Sequence, residues 1–310
     1  PYLEQIARLI DVRPLQAAGW RIVADPMWGV GQGWFSRLLN GGQTVVREIH
    51  AERNPLFPRM RRPEPIEENL QDLFAEVRAW NAHFGLATDG DADRVGLVNE
   101  KGDLVNQLEV YALLAYYLLE VRGLRGPLVR TISSTAMANK LAARYGVPVY
   151  ETAVGFKYVA PEMLRVKALM GGEESGGFAF TGHIPERDGI LAGLYLFDLF
   201  VRENKTPSQM MAHIFSLVGE HYYDRVDRRM PPEKRSEVVE RLRAARPTAL
   251  AGLPVREVDT RDGFRYVLEG GDWVLIRLSG TEPVIRIYCE TTRADKVQPL
   301  LEEGLALAGL

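Results

Sequence analysis

The segment Ala87-Thr88-Asp89-Gly90-Asp91-Ala92-Asp93-Arg94-Val95 sets three carboxylates at alternate positions, with only Gly and Ala between them. Extended backbone sends residues i, i+2 and i+4 to one side, so Asp89, Asp91 and Asp93 converge on one point. Three charges that close repel one another unless a cation lies between them. An all-oxygen ligand set favours a hard ion, Mg²⁺ or Ca²⁺. Mg²⁺ keeps open positions for water and for phosphate oxygens, which points to phosphate chemistry. Two plainer readings stand beside this one. An Asp/Gly cluster also makes an ordinary turn. An EF-hand loop would accept Glu100, twelfth from Asp89, but requires Gly where Arg94 stands sixth. The flanks Gly85-Leu86-Ala87 and Val95-Gly96-Leu97-Val98 have the look of short strands, not helices.

Strands and helices alternate up to about residue 218. Residues 3–10 end an amphipathic helix, 21–24 and 44–49 are apolar strands, and 67–84 carry a helical face in Leu70, Leu73, Phe74, Val77 and Trp80. The Pro- and Arg-rich stretch 54–65 is a surface loop. Gly29-Val30-Gly31-Gln32-Gly33 has G-x-G-x-G spacing, not the dinucleotide fingerprint, and fits a tight strand-to-helix turn. Helices are expected over 108–121 and up to Tyr145, and strands over 127–132 and 147–150. Ser133, Ser134 and Thr135 are read as helix caps. Such alternation builds a parallel sheet with crossover helices, and ligands gather just past the strand ends. Lys157 lies beyond one such end, where a lysine meets a phosphate or stands as a solvated charge.

Residues Gly171-Gly172-Glu173-Glu174-Ser175-Gly176-Gly177 surround two acids and a serine with four glycines. They form either a glycine-rich hairpin or a contact for sugar hydroxyls, since Glu accepts and Ser donates or accepts. Asp188 caps the apolar helix that follows, which runs to Phe200. From about residue 220 short strands and two helices suggest an antiparallel α+β domain. Within it, Arg277-Leu278-Ser279-Gly280-Thr281-Glu282-Pro283 brings an arginine fork and turn donors together, as an anion nest does, and Arg286 follows on the next strand. A hairpin with a surface arginine has the same composition. The fold expected is α/β: two tandem α/β/α domains with mixed or parallel sheets, over 1–103 and 104–218, and a smaller α+β domain over 219–310.

A net charge of −3 gives no electrostatic case for nucleic acid, and no apolar run reaches membrane-spanning length. The single cysteine, Cys289, excludes an internal disulfide and a multi-cysteine metal site and fits a cytoplasmic protein. The chain opens Pro1-Tyr2-Leu3 with no initiator Met, as a piece of a longer gene product or a processed chain does.

Four loops, taken in order, are more specific than any one of them. The order Asp89–Arg94, Thr152-Ala153-Val154-Gly155-Phe156-Lys157, Gly172–Gly177 and Arg277–Pro283 resembles that of the α-D-phosphohexomutases, the phosphoglucomutase/phosphomannomutase family. The resemblance spans nearly the whole chain and implies the second, third and fourth of that family's four domains. It implies Mg²⁺ on Asp89, Asp91 and Asp93, and Arg94 beside the transferred phosphoryl group. Glu173 and Ser175 then hold sugar hydroxyls, Lys157 lines the cleft, and Arg277, Ser279, Gly280 and Thr281 grip the phosphate that does not react. His183 and Arg187 are the candidates for acid/base work, and His183 equally fits a surface histidine. The implied reaction moves phosphate between the 1- and 6-positions of a hexose through glucose 1,6-bisphosphate or its analogue. The family's phosphoserine loop, Thr-Ala-Ser-His-Asn-Pro-like, has no counterpart here, which suggests a missing N-terminal domain in cis. Some members carry His at the place of Gly177, and the Gly here leans toward the glucose-preferring branches. The rival reading is a non-catalytic sugar-phosphate-binding or regulatory protein that has lost the first domain.

Overall fold

Short apolar strands separated by helices need both faces of a sheet covered, and the chain meets that need twice before residue 218. The computed structural model describes residues 1–279 and 283–310. It forms two compact units, Pro1–Leu217 and Val218–Leu310.

The first unit begins with α1 (Tyr2–Leu9) and α2 (Arg13–Ala17), then β1 (Arg21–Asp25), α3 (Trp34–Leu39), β2 (Val45–Glu48), α4 (Gln71–Ala79), β3 (Phe84–Thr88), β4 (Val95–Val98) and β5 (Leu104–Val105). Their sheet has the order β2-β1-β3-β4-β5. β1 runs parallel to β2 and β3, whereas β4 is antiparallel to β3. The antiparallel step follows from chain length: six residues close a hairpin, but a parallel partner requires a crossover of a dozen or more. α4 is shorter than the periodicity over 67–84 suggests. Asn81 turns to a left-handed φ of 48°, and Phe84 opens a strand buried at every position. Val23, Leu73, Phe74, Val77, Ala87 and Val98 form the core between α4 and this sheet.

The second half of this unit runs α5 (Gln107–Tyr116), β6 (Leu128–Thr131), α6 (Met137–Tyr145), β7 (Val149–Thr152), α7 (Phe156–Val166), β8 (Met170–Gly172), β9 (Phe178–Phe180), α8 (Gly189–Glu203) and α9 (Pro207–Val218). The order is β7-β6-β8-β9, again parallel except for the last strand. α8 is buried from Gly189 to Phe200. Its Phe197 and Phe200 pack on Trp20, just before β1, and on Phe84 of β3. This shared aromatic seam makes the two sheets one compact unit.

The second unit holds β10 (Tyr222–Arg229), α10 (Arg235–Ala244), β11 (Ala249–Leu250), β12 (Leu253–Asp259), β13 (Phe264–Leu268), β14 (Trp273–Leu278), β15 (Val284–Thr291) and α11 (Val297–Ala308). The sheet is antiparallel, in the order β10-β15-β14-β13-β12-β11. Val274, Ile276, Ile285, Ile287, Leu300 and Leu301 lie in its core. Two α/β/α domains with mixed sheets and a smaller α+β domain are thus the architecture. No helix among the described residues is long and apolar enough to cross a membrane.

Candidate functional site

The three aspartates sit on the hairpin between β3 and β4. The Arg94 amide donates to Asp89 Oδ1 at 3.0 Å, and Ala92 adopts a left-handed φ of 61°, so the loop doubles back on itself. One oxygen from each of Asp89, Asp91 and Asp93 lies within 4.8 Å of the others. Burial, with the charges of Asp93 and Asp91 added, pushes Asp89 up to about 7. Burial also raises Asp93, against the pull of Arg187. Asp93 Oδ1 is buried with no hydrogen-bond partner. That oxygen faces Arg94 Nε at 3.7 Å, beyond hydrogen-bond reach, and within a set of hard donors it fits a divalent cation, which would offset the repulsion that disfavours the ionised triad.

The second loop of interest is the hairpin between β8 and β9, and it lies against the first. Arg94 bridges to Gly177 in antiparallel fashion, and the Val95 amide donates to the Gly176 carbonyl at 3.0 Å. Arg187 spans the two loops. Its Nη2 lies 2.6 Å from Asp93 Oδ2, and its Nη1 lies 3.8 Å from Glu173 Oε2. Its guanidinium stacks 5.3 Å over Phe156, the first residue of α7. Glu173 is buried, accepts the Gly155 amide at 2.9 Å, and is pushed up to about 7 by burial and by Glu174. Arg94 reaches Glu64 at 3.3 Å and Asp89 at 3.4 Å, and its Nε is buried without a hydrogen bond. The two loops therefore bring acids and two arginines together on one face. Asp91, Asp93 and Arg187 also line a hollow of about 250 Å³ with Tyr2, Val30 and Trp34, on the side of the aspartate loop toward the start of α8.

The remaining candidates of the first unit fall around this face or apart from it. Ser175 lies half-buried in the β8–β9 turn. Lys157 is exposed on the first turn of α7, its ammonium 5.0 Å from the Tyr158 ring. His183 Nε2 meets Asp188 Oδ2 at 3.0 Å, and Asp188 also accepts the Tyr2 hydroxyl and the Leu191 amide. His183 is thus tied to the cap of α8.

In the second unit, Arg277 and Arg286 are directly opposed on β14 and β15, so both side chains leave the same face. Like charges so placed repel. Asp262 offsets Arg277 at 3.0 Å, and Asp227 offsets Arg286 at 3.3 Å. Ser279 is buried, and its carbonyl accepts Arg235 Nη1 at 2.8 Å. Gly280 and Thr281 lie outside the described residues.

Family models of phosphoglucomutase/phosphomannomutase match three parts of the chain. They are the alpha/beta/alpha domain II over 1–102, the alpha/beta/alpha domain III over 106–218 and the C-terminal domain over 228–306. The chain belongs to the phosphoglucomutase/phosphomannomutase family. A phosphoglucomutase/phosphomannomutase of Thermococcus kodakarensis is 33% identical over 99% of this chain and 64% of its own length. A phosphoglucosamine mutase of Carboxydothermus hydrogenoformans is 34% identical over 85% of this chain and 56% of its own. A solved phosphoglucomutase/phosphomannomutase family protein of Burkholderia thailandensis superposes with a TM-score of 0.81 at 25% identity, covering 99% of this chain and 64% of that one. The chain therefore spans less than two thirds of the length of these relatives.

Several residues of this family member's site escape sequence reasoning. Glu174, next to Glu173, turns the other way and accepts Ser133 Oγ at 2.6 Å, with Thr131 Oγ1 at 3.3 Å. Ser133 is thus not a helix cap. α6 starts later, at Met137, whose amide is taken by Thr135 Oγ1. Gly177 has a reason that composition hides: a Cβ there would lie 2.3 Å from Arg187 Cδ. The bare glycine is the seat across which Arg187 reaches Asp93. Phe156 had no polar signal at all, since its part is to support a guanidinium from below.

Proposed function

We propose that this chain is the metal- and sugar-binding part of a phosphohexomutase that interconverts hexose 1-phosphates and hexose 6-phosphates. Glucose is the first expected sugar and mannose the second. The observation that carries the reading is Arg187, which joins Asp93 of the aspartate loop to Glu173 of the glycine-rich loop. One cation fixed between an anion-rich loop and a hydroxyl-binding loop is what transfer of phosphate to and from a sugar requires. Asp89, Asp91 and Asp93 would hold Mg²⁺, which when bound supplies a Lewis acid that draws charge from a phosphoryl oxygen. Arg94 and Arg187 stabilise the charge that spreads over the transferring group. Glu173 and Ser175 orient the sugar through its hydroxyls, and a Glu173 that titrates near 7 both accepts and donates there. Lys157 adds positive charge at the rim of that loop. Of the two candidates for acid/base work, His183 is the proposed proton-transfer group: burial works against the Arg187 charge, but Asp93 and Glu173 outweigh it and keep the guanidinium protonated, so Arg187 acts as a fixed cation.

Arg277, Ser279, Gly280, Thr281 and Arg286 are proposed to grip the phosphate that does not react. Such a clamp accepts either end of a bisphosphate and so permits glucose 1,6-bisphosphate to react at both. The phosphoserine nucleophile is absent from these 310 residues, and a further domain in cis is its proposed source. A cytoplasmic location belongs to the same reading, and the lone cysteine fits it. The missing nucleophile favours one second reading, a sugar-phosphate-binding protein without turnover.

The test is an assay of the complete gene product with Mg²⁺ and a trace of glucose 1,6-bisphosphate, offering glucose, mannose and glucosamine phosphates in turn. Interconversion of any of them is expected, and the 310-residue chain alone should bind hexose phosphate without converting it. Failure of every substrate rejects the mutase. A start codon directly upstream of the Pro1 codon supports the binding protein, and a phosphoserine loop encoded upstream removes it.

A further inference from the structure

Away from the proposed catalytic groups, one imidazole fastens a strand end, a helix start and the segment after β2 together. His50 follows β2, and its Nδ1 lies 3.1 and 3.0 Å from the two carboxylate oxygens of Asp25, the last residue of β1. Its Nε2 lies 3.1 Å from Asp72 Oδ2, on the first turn of α4. The charged groups that face it are those two acids and Arg59 of the 50–66 loop, 3.4 Å from Nε2 and 3.0 Å from Asp72. Both ring nitrogens meet carboxylates, so the ring serves both only when both carry protons. Burial alone would lower the His50 pKa, but Asp25 and Asp72 outweigh it and hold the ring above its ordinary value.

The imidazole also packs on Trp28, with ring centroids 4.0 Å apart and the planes tilted by 33°, and the His50 carbonyl accepts the Trp28 amide at 3.0 Å. Met27, Trp28 and His50 are all non-glycine residues with left-handed φ, at 48°, 55° and 47°. Such backbone persists only where its surroundings over-determine it. What the turn supports is the aspartate loop. The Val30 amide donates to the Gly90 carbonyl at 3.1 Å, and the Gly90 amide donates to Pro63. Gly29 presses so close that a Cβ there would lie 2.5 Å from the Gly90 oxygen.

We propose that His50, bonded at both nitrogens between Asp25 and Asp72, is a positioning residue that holds the 26–30 turn against Gly90. The order of the aspartate loop then depends on the charge of one imidazole that never touches it. The proposal rests on the reading of that loop as the metal loop only for its consequence, because the staple itself is metal-free.

Hydrogen exchange on the whole 310-residue chain without metal tests it, read by mass spectrometry from about pH 6 to about pH 9 with intrinsic rates removed. In His50→Gln the segments that carry the Val30 and Gly90 amides should exchange about tenfold faster, with α6 unchanged. The wild type should approach those rates only as pH rises past the titration of His50. Asp72→Asn, which removes a half-exposed acid, should lower the pH at which that happens. Wild-type exchange in His50→Gln, an unmoved threshold in Asp72→Asn, or a loss spread equally into α6 overturns the proposal. A MgCl₂ titration of the same wild-type sample separates the two readings: no Mg²⁺ binding with the exchange pattern intact rejects the metal loop and leaves the staple standing.

Discussion

At the scale of single residues the aspartate trio divides its labour by burial. Asp91 is exposed, and its neighbours in the trio are buried or half-buried, so its loss leaves the fold intact. Asp91→Asn should keep the wild-type melting temperature and weaken Mg²⁺ binding by at least about tenfold, roughly 1.4 kcal/mol, in a calorimetric titration. Unchanged Mg²⁺ affinity would remove the metal assignment. Gly177 makes a sharper case. Its Cβ in Gly177→Ala must displace Arg187, so the ion pair to Asp93 breaks although neither partner is altered. Gly177→Ala and Arg187→Ala should lose similar affinity for a hexose phosphate, about 1.5–3 kcal/mol each. The double variant should lose little more than either. Additive losses would show that the glycine acts independently of Arg187. The trio was legible in the sequence because alternate spacing is a local signal. The reach of Arg187 was not, since it joins segments far apart in the chain. Glu173 and Glu174 look alike in sequence and differ only in which strand end each one faces.

At the scale of elements, the aspartate loop and the glycine-rich loop are the same device. Each is the short hairpin by which a parallel strand passes to an antiparallel neighbour, β3 to β4 and β8 to β9. The short apolar flanks of the aspartate loop read as strands, the glycine-rich loop read as a hairpin, and loop length fixed the antiparallel step in each. Element ends were less legible, because they depend on backbone turns such as Asn81 and on capping partners. The cap of α5 carries a pH prediction. Asn106 takes the Leu108 and Glu109 amides, and Glu109 Oε2 returns to the Asn106 amide at 3.0 Å. Burial raises the Glu109 pKa to about 7, from an ordinary value of 4.5. A carboxyl raised on folding favours the native state while protonated. Its contribution is full below the unfolded value and is lost as pH rises through about 7. Glu109→Gln keeps the cap acceptor without the charge. Urea denaturation at about pH 8 should find it more stable than wild type by the order of 1–3 kcal/mol, with the gap closing toward about pH 5. A gap that widens on acidification would reverse the assigned cause.

At the scale of the molecule, the division at Val218 separates two cores that share no sheet. The first unit is bound across its two sheets by the buried α8 and the Trp20–Phe84–Phe197–Phe200 seam. The second has its own closed set, in which Ile287 of β15 is fully buried among Val274, Ile276 and Ile285. A core of this kind should unfold as its own cooperative step, because stability follows contiguous packing. Ile287→Ala removes buried methyl groups and leaves a cavity, at a cost of about 2–5 kcal/mol. The chain reports on this conveniently. Trp20, Trp28, Trp34 and Trp80 lie in the first unit, and Trp273 is buried in the second. Fluorotryptophan incorporated throughout, with the Trp273 ¹⁹F resonance assigned by Trp273→Phe, reports on Val218–Leu310 without altering the seam. In the labelled chain Ile287→Ala should shift the Trp273 transition to lower temperature, while the calorimetric transition of Pro1–Leu217 stays in place. A shift of both transitions by the same amount would mean that the two cores melt as one, and that the separation at Val218 describes contacts alone without dividing the folding free energy.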